Sequence, residues 1–450
     1  MKISLFFVFI GFFTLTRSIS SKPTDKIQYD LSLKEDIDNR PTSEALPAGM
    51  KLIWSDEFNG KSLDKSKWVT DYYSSIDFIE RTNYEKLLNG ELPQPGIRFT
   101  GHSIILITDD RIPTEPYFLS GRKVSSIQTY DWKEDKLLLD NSLGGFIEAR
   151  IKRICTADAT MVNGAFWLDS PGPDAKYFIE QGNTALGATG IRPRGQVFEI
   201  DLCENLNTEI VLHGNVSPEG IFEHNIGHFP IEGDYVNKWV THSMLWSPAG
   251  FKFYIDGRLV KEDWNPHNIK SPNHAMNVFL GMYAKGGTAS MEVDYIRYYR
   301  WKLKKLNELP NPGFEYYEGL FPWEGKGHIA TLSSRTGKYG VELAAGDSIA
   351  QYVYLDHSCP YSMKFWTKGP GGITAIVENI TQVSGSVANY TGSTFQVGQD
   401  FSRNEIRFST SPEYGNHKRT VKVIFTNSGT SPISLDDITI EKIIKNESVL

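Results

Sequence analysis

Apolar and polar positions alternate in short runs along most of this chain, at the two-residue period of a half-buried strand, and Gly, Asn, Asp or Pro breaks the runs. Such runs occupy 103–108, 145–154, 164–168, 196–202, 239–246, 251–255 and 291–299, and long amphipathic helical patterns are absent among them. Many short strands separated by turn signals predict an antiparallel sandwich. Asp256-Gly257, between Tyr254-Ile255 and Leu259-Val260, predicts a tight hairpin because both residue types tolerate positive φ.

The pattern resumes after a break. The turn-rich Pro310-Asn311-Pro312-Gly313-Phe314-Glu315 is followed by β-like runs at 348–355, 362–367, 372–377, 404–409, 420–426 and 433–440, which predict a second, smaller sandwich over 308–450. At the other end, Met1-Lys2 and the apolar run 5–15 have the charged start and short hydrophobic core of a secretory signal over 1–20, so the chain is expected to be secreted or periplasmic. The run is too short for a membrane span and no later stretch reaches the length needed. Residues 21–47 are polar and read as a linker, and order is expected from 48.

Composition narrows the functions. The 450 residues carry 47 Lys and Arg against 54 Asp and Glu, a net charge of -7, so no basic excess points to nucleic acid. Cys155, Cys203 and Cys359 are too few and too scattered for a disulfide framework or a zinc site. No metal site is predicted.

The most unusual run is Val197-Phe198-Glu199-Ile200-Asp201-Leu202-Cys203-Glu204-Asn205, three acids in an otherwise apolar strand. Alternation projects Glu199 and Asp201 from one face and Phe198, Ile200 and Leu202 from the other. A one-residue bulge near Leu202 and Cys203 would bring Glu204 back to the acid face and turn Cys203 into the core as an inert thiol, the alternative being a thiol nucleophile. Carboxylates held so close cannot all ionise, so one keeps a raised pKa while another stays anionic. A retaining glycosidase needs that division: one carboxylate attacks the anomeric carbon, and the other, about 5–5.5 Å away, protonates the leaving oxygen and then activates water. The bland alternative is an ordinary strand with scattered acids.

An ordered set of further motifs resembles glycoside hydrolase family 16. The pieces are Trp54-Ser55-Asp56-Glu57-Phe58, Ser120-Gly121-Arg122, Gly145-Phe146-Ile147-Glu148-Ala149-Arg150-Ile151-Lys152, Gly164-Ala165-Phe166-Trp167-Leu168, the acid run, Trp246-Ser247-Pro248 with Phe253-Tyr254-Ile255-Asp256-Gly257, and Met291-Glu292-Val293-Asp294-Tyr295-Ile296-Arg297. The resemblance covers 48–302 and implies an all-β fold, a β-jelly-roll of an endo-acting polysaccharide hydrolase. It implies Glu199 as nucleophile, Glu204 as acid/base, and Asp201 as the residue that holds and tunes the nucleophile. The six-residue spacing is similar to the bulged form of laminarinases, agarases, porphyranases and carrageenases, and differs from that of lichenases and xyloglucan transglycosylases. Relatives often carry a structural calcium ion, but no ligand cluster here is specific enough to name; no other cofactor is implied. The opening Asn311-Pro312-Gly313-Phe314-Glu315, Trp323 and the closing Leu435-Asp436-Asp437-Ile438 resemble carbohydrate-binding modules of families 4, 9 and 22, with Trp323, Tyr352 and Trp366 as candidate sugar-stacking aromatics.

Around the acids, Trp167 is placed either to stack on a sugar or to pack in the core, whereas Trp54 and Trp246 are assigned to the core. His213 follows the acid strand by a hairpin's length and either reaches the cleft or is simply hydrogen-bonded; His224 and His228 are weaker candidates. The long Gly/Pro-containing stretch between Asp169 and Gln196 carries Arg192 and Arg194, which, with Arg122 and Lys285, could face a sulfated sugar, since guanidinium groups bind oxyanions bidentately. The partner is therefore a polysaccharide, tilted toward an algal galactan, with a laminarin-type β-1,3-glucan as runner-up. A non-hydrolytic glycan binder and a transglycosylase are the remaining alternatives.

Overall fold

The computed structural model describes residues 45–70, 94–114, 121–131, 134, 136–170, 197–215, 222–264, 271–303, 307–316, 319–381, 386–413 and 417–444. The predicted signal, nearly all of the linker, and Arg192 and Arg194 lie outside them.

Among the described residues the alternating runs become strands of four large antiparallel sheets. The first sheet has eight strands. Arg258–Trp264, Gly250–Ile255, Val240–Ser247, Gly145–Cys155, Ala289–Trp301, Ile104–Thr108 and Gly96–Phe99 follow in spatial order, with Met50–Asp56 also paired to Ala289–Trp301. The second sheet has six, in the order Phe222–Pro230, Glu209–Asn215, Val197–Glu204, Asn163–Asp169, Asn277–Ala284 and Lys123–Gln128. Its inner side chains, among them Phe166, Leu168, Ile200, Leu212, Val278, Leu280 and Met282, pack with Ile147, Ala149, Ile151, Met244 and Val293 of the first sheet in one buried core. Each of the larger side chains among them stabilises the fold by about 1.5–3 kcal/mol, which is how two sheets hold each other without disulfides; all three cysteines are free. The predicted hairpin is present, with Asp256 at φ 48 and Gly257 at φ 78.

Burying one face of the six-stranded sheet leaves the other face to the remaining alternate residues. Trp167, Ala165, Phe279, Tyr283 and Val124 form a separate cluster on that side, where the Trp167 ring stacks on Phe279 at 4.4 Å.

The second sandwich pairs two five-stranded sheets. One runs Glu324–Gly325, Ser348–Asp356, Lys418–Asn427, Gly371–Ile380, Val387–Val397, and the other His328–Ala330, Gly340–Leu343, Ile433–Lys442, Pro360–Lys368, Ser402–Ser409. Its core holds Val421, Val423, Phe425, Ile373 and Val377 against Met363, Phe365, Leu435, Ile438 and Ile440. Trp323 is part of that core and donates its indole N–H to the Asn311 carbonyl at 3.0 Å. It is therefore corrected from a sugar-stacking aromatic to a structural one. Tyr352 is corrected as well: it is buried with Ala249, Ile380 and Trp264 where the two sandwiches meet. Trp366 is half-buried beneath the Arg335 guanidinium, 3.6 Å from its ring centroid.

The seam between the sandwiches is polar as well as apolar. The Trp264 indole donates to Glu324 at 2.5 Å, Tyr354 donates to the Pro272 carbonyl at 2.7 Å, and Asn273 Nδ2 donates to the Lys418 carbonyl at 2.8 Å. A cavity of about 150 Å³ lies in this seam, lined by Trp264, Trp301, Phe321 and Tyr352 among others.

Candidate active site

The acid strand Val197–Glu204 is the third of six in its sheet, between Asn163–Asp169 and Glu209–Asn215. Both neighbours record an extra residue in it. Against the following strand, Glu209 lies opposite Glu204 and Val211 opposite Asp201, so two steps on one strand match three on the other. Against the preceding strand, Phe166 lies opposite Cys203 and Trp167 opposite Asp201. A bulge at Leu202 and Cys203 satisfies both registers, and both of those side chains are buried in the core. Two successive inward residues return Glu204 to the face of Glu199 and Asp201, as the acid spacing predicts. Burial also pushes the Cys203 thiol up, which keeps it protonated and leaves it no thiolate to act with.

The turn after the bulge is held from behind. Asn205 and Thr208 adopt positive φ, a costly conformation for β-branched Thr208. Arg153, buried and reaching across from the first sheet, donates to Thr208 Oγ1 at 2.5 Å, to the Gly164 carbonyl at 3.2 Å and to the Asn205 carbonyl. Asn163 completes the clamp by donating to Glu204 Oε1 at 3.0 Å and accepting from the Asn205 N–H at 2.8 Å. The orientation of Glu204 thus depends on residues some 40–50 positions earlier, which no local pattern announces.

Around the three acids the structure brings His213 and Asp169. His213 pairs in register with Glu199, and its Nε2 lies 3.4 Å from Asp201 Oδ2. Asp169 pairs in register with Glu199 on the other side. Trp167 shares this face but is only 3 % exposed, packed on Phe279 and tilted against Tyr283 at 5.9 Å, so it is a wall of the acid site rather than an open platform. His228 sits outside the cluster, 3.0 Å from Glu209 Oε2; Trp246 is in the core and Trp54 packs against it. The His224 side chain lies outside the description.

Burial sets the electrostatics. Asp201 is buried while Glu199 and Glu204 are half-buried. Burial holds the Glu199 carboxyl well above the usual range; His213 opposes the shift, and Asp201, Asp169 and Glu204 add to it. Asp201 is likewise held well above its ordinary value by burial and by Glu204 and Asp169. Glu204 is raised by burial and Glu209, against the lowering pull of His213, the Asn163 hydrogen bond and Arg122. Arg122, read in the sequence as a candidate for an anionic sugar, is buried, and its charge is among the influences that lower Glu204. Ligand atoms of Glu199, Asp201 and His213 lie within 4.8 Å of one another, close enough to bridge a divalent cation. The same crowding, with no cation, forces protons onto the acids.

Asp169 and Asn163 are the site residues that the sequence reading missed. For Asp169 the signal was present: it stands two residues after Trp167, on the same strand face.

Residues 184–300 match the family described as Glycosyl hydrolases family 16. A curated relative, a glucan endo-1,3-beta-glucosidase A1 of Niallia circulans, is 29% identical over 307 residues, which is 60% of this chain and 41% of the relative. The chain thus spans about two fifths of that protein. Among solved structures, an endo-β-galactosidase of Clostridium perfringens that releases GlcNAcα1-4Gal aligns at TM-score 0.43 and 19% identity, over 69% of this chain and 73% of that one. An endo-β-1,3-glucanase of Pyrococcus furiosus aligns at TM-score 0.37 and 19% identity, over 56% and 95%.

Proposed function

We propose that this chain, whose residues 184–300 match glycosyl hydrolase family 16, is an endo-acting retaining glycosidase worked by its bulged acid strand. The bulge carries the proposal: it alone puts Glu204 on the face of Glu199.

In this reading Glu199 is the nucleophile and must attack as an anion, while Glu204 enters protonated and donates to the leaving oxygen. The raised pKa of Glu204 keeps its proton available above the ordinary carboxylate range. Glu199 is raised too, and Asp201 resolves the conflict. Asp201 is the most buried of the three and takes a proton readily, and a protonated Asp201 can donate a hydrogen bond to the Glu199 carboxylate. His213 faces Glu199 from the next strand and favours its anion. The cluster titrates as a unit, with one negative charge kept where attack occurs. Once the glycosyl-enzyme forms, Glu204 is left as a carboxylate and activates the water that releases it.

The substrate we favour is a β-1,3-glucan. The curated relative is named as a glucan endo-1,3-beta-glucosidase, and the galactan reading rests on Arg192 and Arg194, which lie outside the described residues. The leader at 1–20 supports a secreted or periplasmic enzyme acting on polysaccharide outside the cytoplasm. Among the described residues no helix is long and apolar enough to cross a membrane. Reducing-end assays on laminarin, mixed-linkage glucan, agar, porphyran and carrageenan test the assignment. Release from laminarin with retained anomeric configuration is expected; cleavage confined to a sulfated galactan would restore the galactan reading, and inversion would overturn the mechanism.

A further inference from the structure

The segment 271–276, just before the strand Asn277–Ala284, is tied to the second sandwich on one side and to the acid sheet on the other. Asn273 makes a two-way bond with the start of the strand Lys418–Asn427: its carbonyl accepts from the Lys418 N–H at 2.5 Å and its side chain donates to the Lys418 carbonyl at 2.8 Å. The next residue, His274, stacks on His417 at 4.3 Å and 16°. Its Nε2 lies 2.7 Å from Ser170 Oγ. Ser170 directly follows Asp169, which pairs with Glu199 and also with Asn277. Ser170, His274 and His417 are all buried.

We infer that the second sandwich positions the acid strand through His417, His274 and Ser170, which together hold the Asp169 end of its neighbouring strand in register with Glu199. This rests on Glu199 being the nucleophile. Asp169 must keep a set distance from Glu199, since it is one of the charges Glu199 feels. An exposed strand end frays readily, whereas a buried hydroxyl–imidazole bond backed by a stacked ring does not. Burial also pushes His417 down to about 4, so at neutral pH that ring stacks uncharged. The arrangement gives the second sandwich a role that does not depend on Trp323 or Tyr352 meeting a sugar, and both are buried.

The test uses the full chain with His417→Ala, Ser170→Ala, Ser170→Thr and, as a control, Glu324→Gln, which weakens the seam by turning the charge-assisted bond from the Trp264 indole into a neutral one without touching His274. Laminarin kinetics, thermal midpoints and amide exchange are measured for each. For H417A and S170A kcat should fall about tenfold, because sub-ångström misplacement of a reacting group costs rate steeply, while KM stays within about twofold. Exchange across 163–170 should rise in both, S170T should restore both readouts, and E324Q should lower the thermal midpoint with kcat unchanged. Unaltered kcat and exchange in H417A, or an equal kcat loss in E324Q, would overturn the inference. If the parent protein cleaves none of the polysaccharides, the glycosidase reading fails and exchange alone decides: faster exchange in H417A but not in E324Q keeps the positioning role, and equal exchange removes it.

Discussion

Both sandwiches bury an aspartate, and the two are handled in opposite ways. Asp436 of the second sandwich is fully buried, but its carboxylate accepts three backbone N–H bonds, from Arg335 at 2.6 Å, Thr336 at 3.1 Å and Asp437 at 2.7 Å. Burial raises it only to about 6, since those donors pull it back down. Asp201 is as deeply placed, yet its surroundings are other acids, Glu204 and Asp169, with the His213 ring 3.4 Å away. Burial alone therefore does not mark chemistry. A buried acid furnished with donors is a fold element, and one furnished with more acids stores electrostatic free energy that a reaction can draw on.

The widest separation between the two sites should come from removing the glutamates of the crowded one. Glu199→Gln and Glu204→Gln should each lower kcat by about 10³-fold or more. They should differ in one respect: E204Q keeps its first step with an aryl glycoside whose leaving group needs no proton, whereas E199Q has lost that step too. Near-normal turnover by either purified variant would remove the assignment. E199Q should also stabilise the fold. A carboxyl held above its ordinary pKa contributes stability at low pH and loses it as pH rises toward the raised value. The thermal midpoint of E199Q should therefore exceed the parent's at neutral pH, and the gap should close in acid; a gap that widens in acid would reverse the sign of the argument.

Removing Asp436 should do the reverse. Asp436→Ala leaves three backbone N–H groups without their acceptor, at a cost of about 1–3 kcal/mol for each that stays buried. Activity per folded molecule should hold, because none of those bonds reaches the acid strand. Denaturant unfolding against laminarin turnover measures both, and a drop in kcat at constant folded fraction would show that the two regions are not separable in this way.

Much of this contrast is legible in the amino-acid sequence. The period-two runs gave the strands, Asp256-Gly257 gave a hairpin, and the spacing of Glu199, Asp201 and Glu204 required the bulge that the registers show. Those features are local, set by residues a few positions apart. What stayed hidden is non-local: Asn163 on Glu204, Arg153 under the turn and His274 on Ser170 span 41 to 104 positions. Trp323 and Tyr352 were misplaced for a related reason. Alternation separates the two faces of a strand, but it does not say which face meets the partner sheet or the other sandwich.

The smallest expected effect concerns how finely the crowded site is set. Glu209 lies opposite Glu204 in the strand register, accepts from the Asn205 amide at 3.2 Å and sits 3.0 Å from His228 Nε2. After burial, which dominates, its negative charge is one of the causes that hold Glu204 up, while His213, Asn163 and Arg122 pull the other way. Glu209→Gln keeps the shape and the bond from Asn205 but removes the charge, so the Glu204 pKa should fall. A general acid works only while protonated, and activity disappears as pH rises through its pKa. The alkaline limb of kcat/KM should therefore move to lower pH in E209Q, with the plateau little changed. A limb that stays in place would mean that the acid does not sense its cross-strand neighbour, and one that moves upward would mean that loss of the His228 contact outweighs loss of the charge.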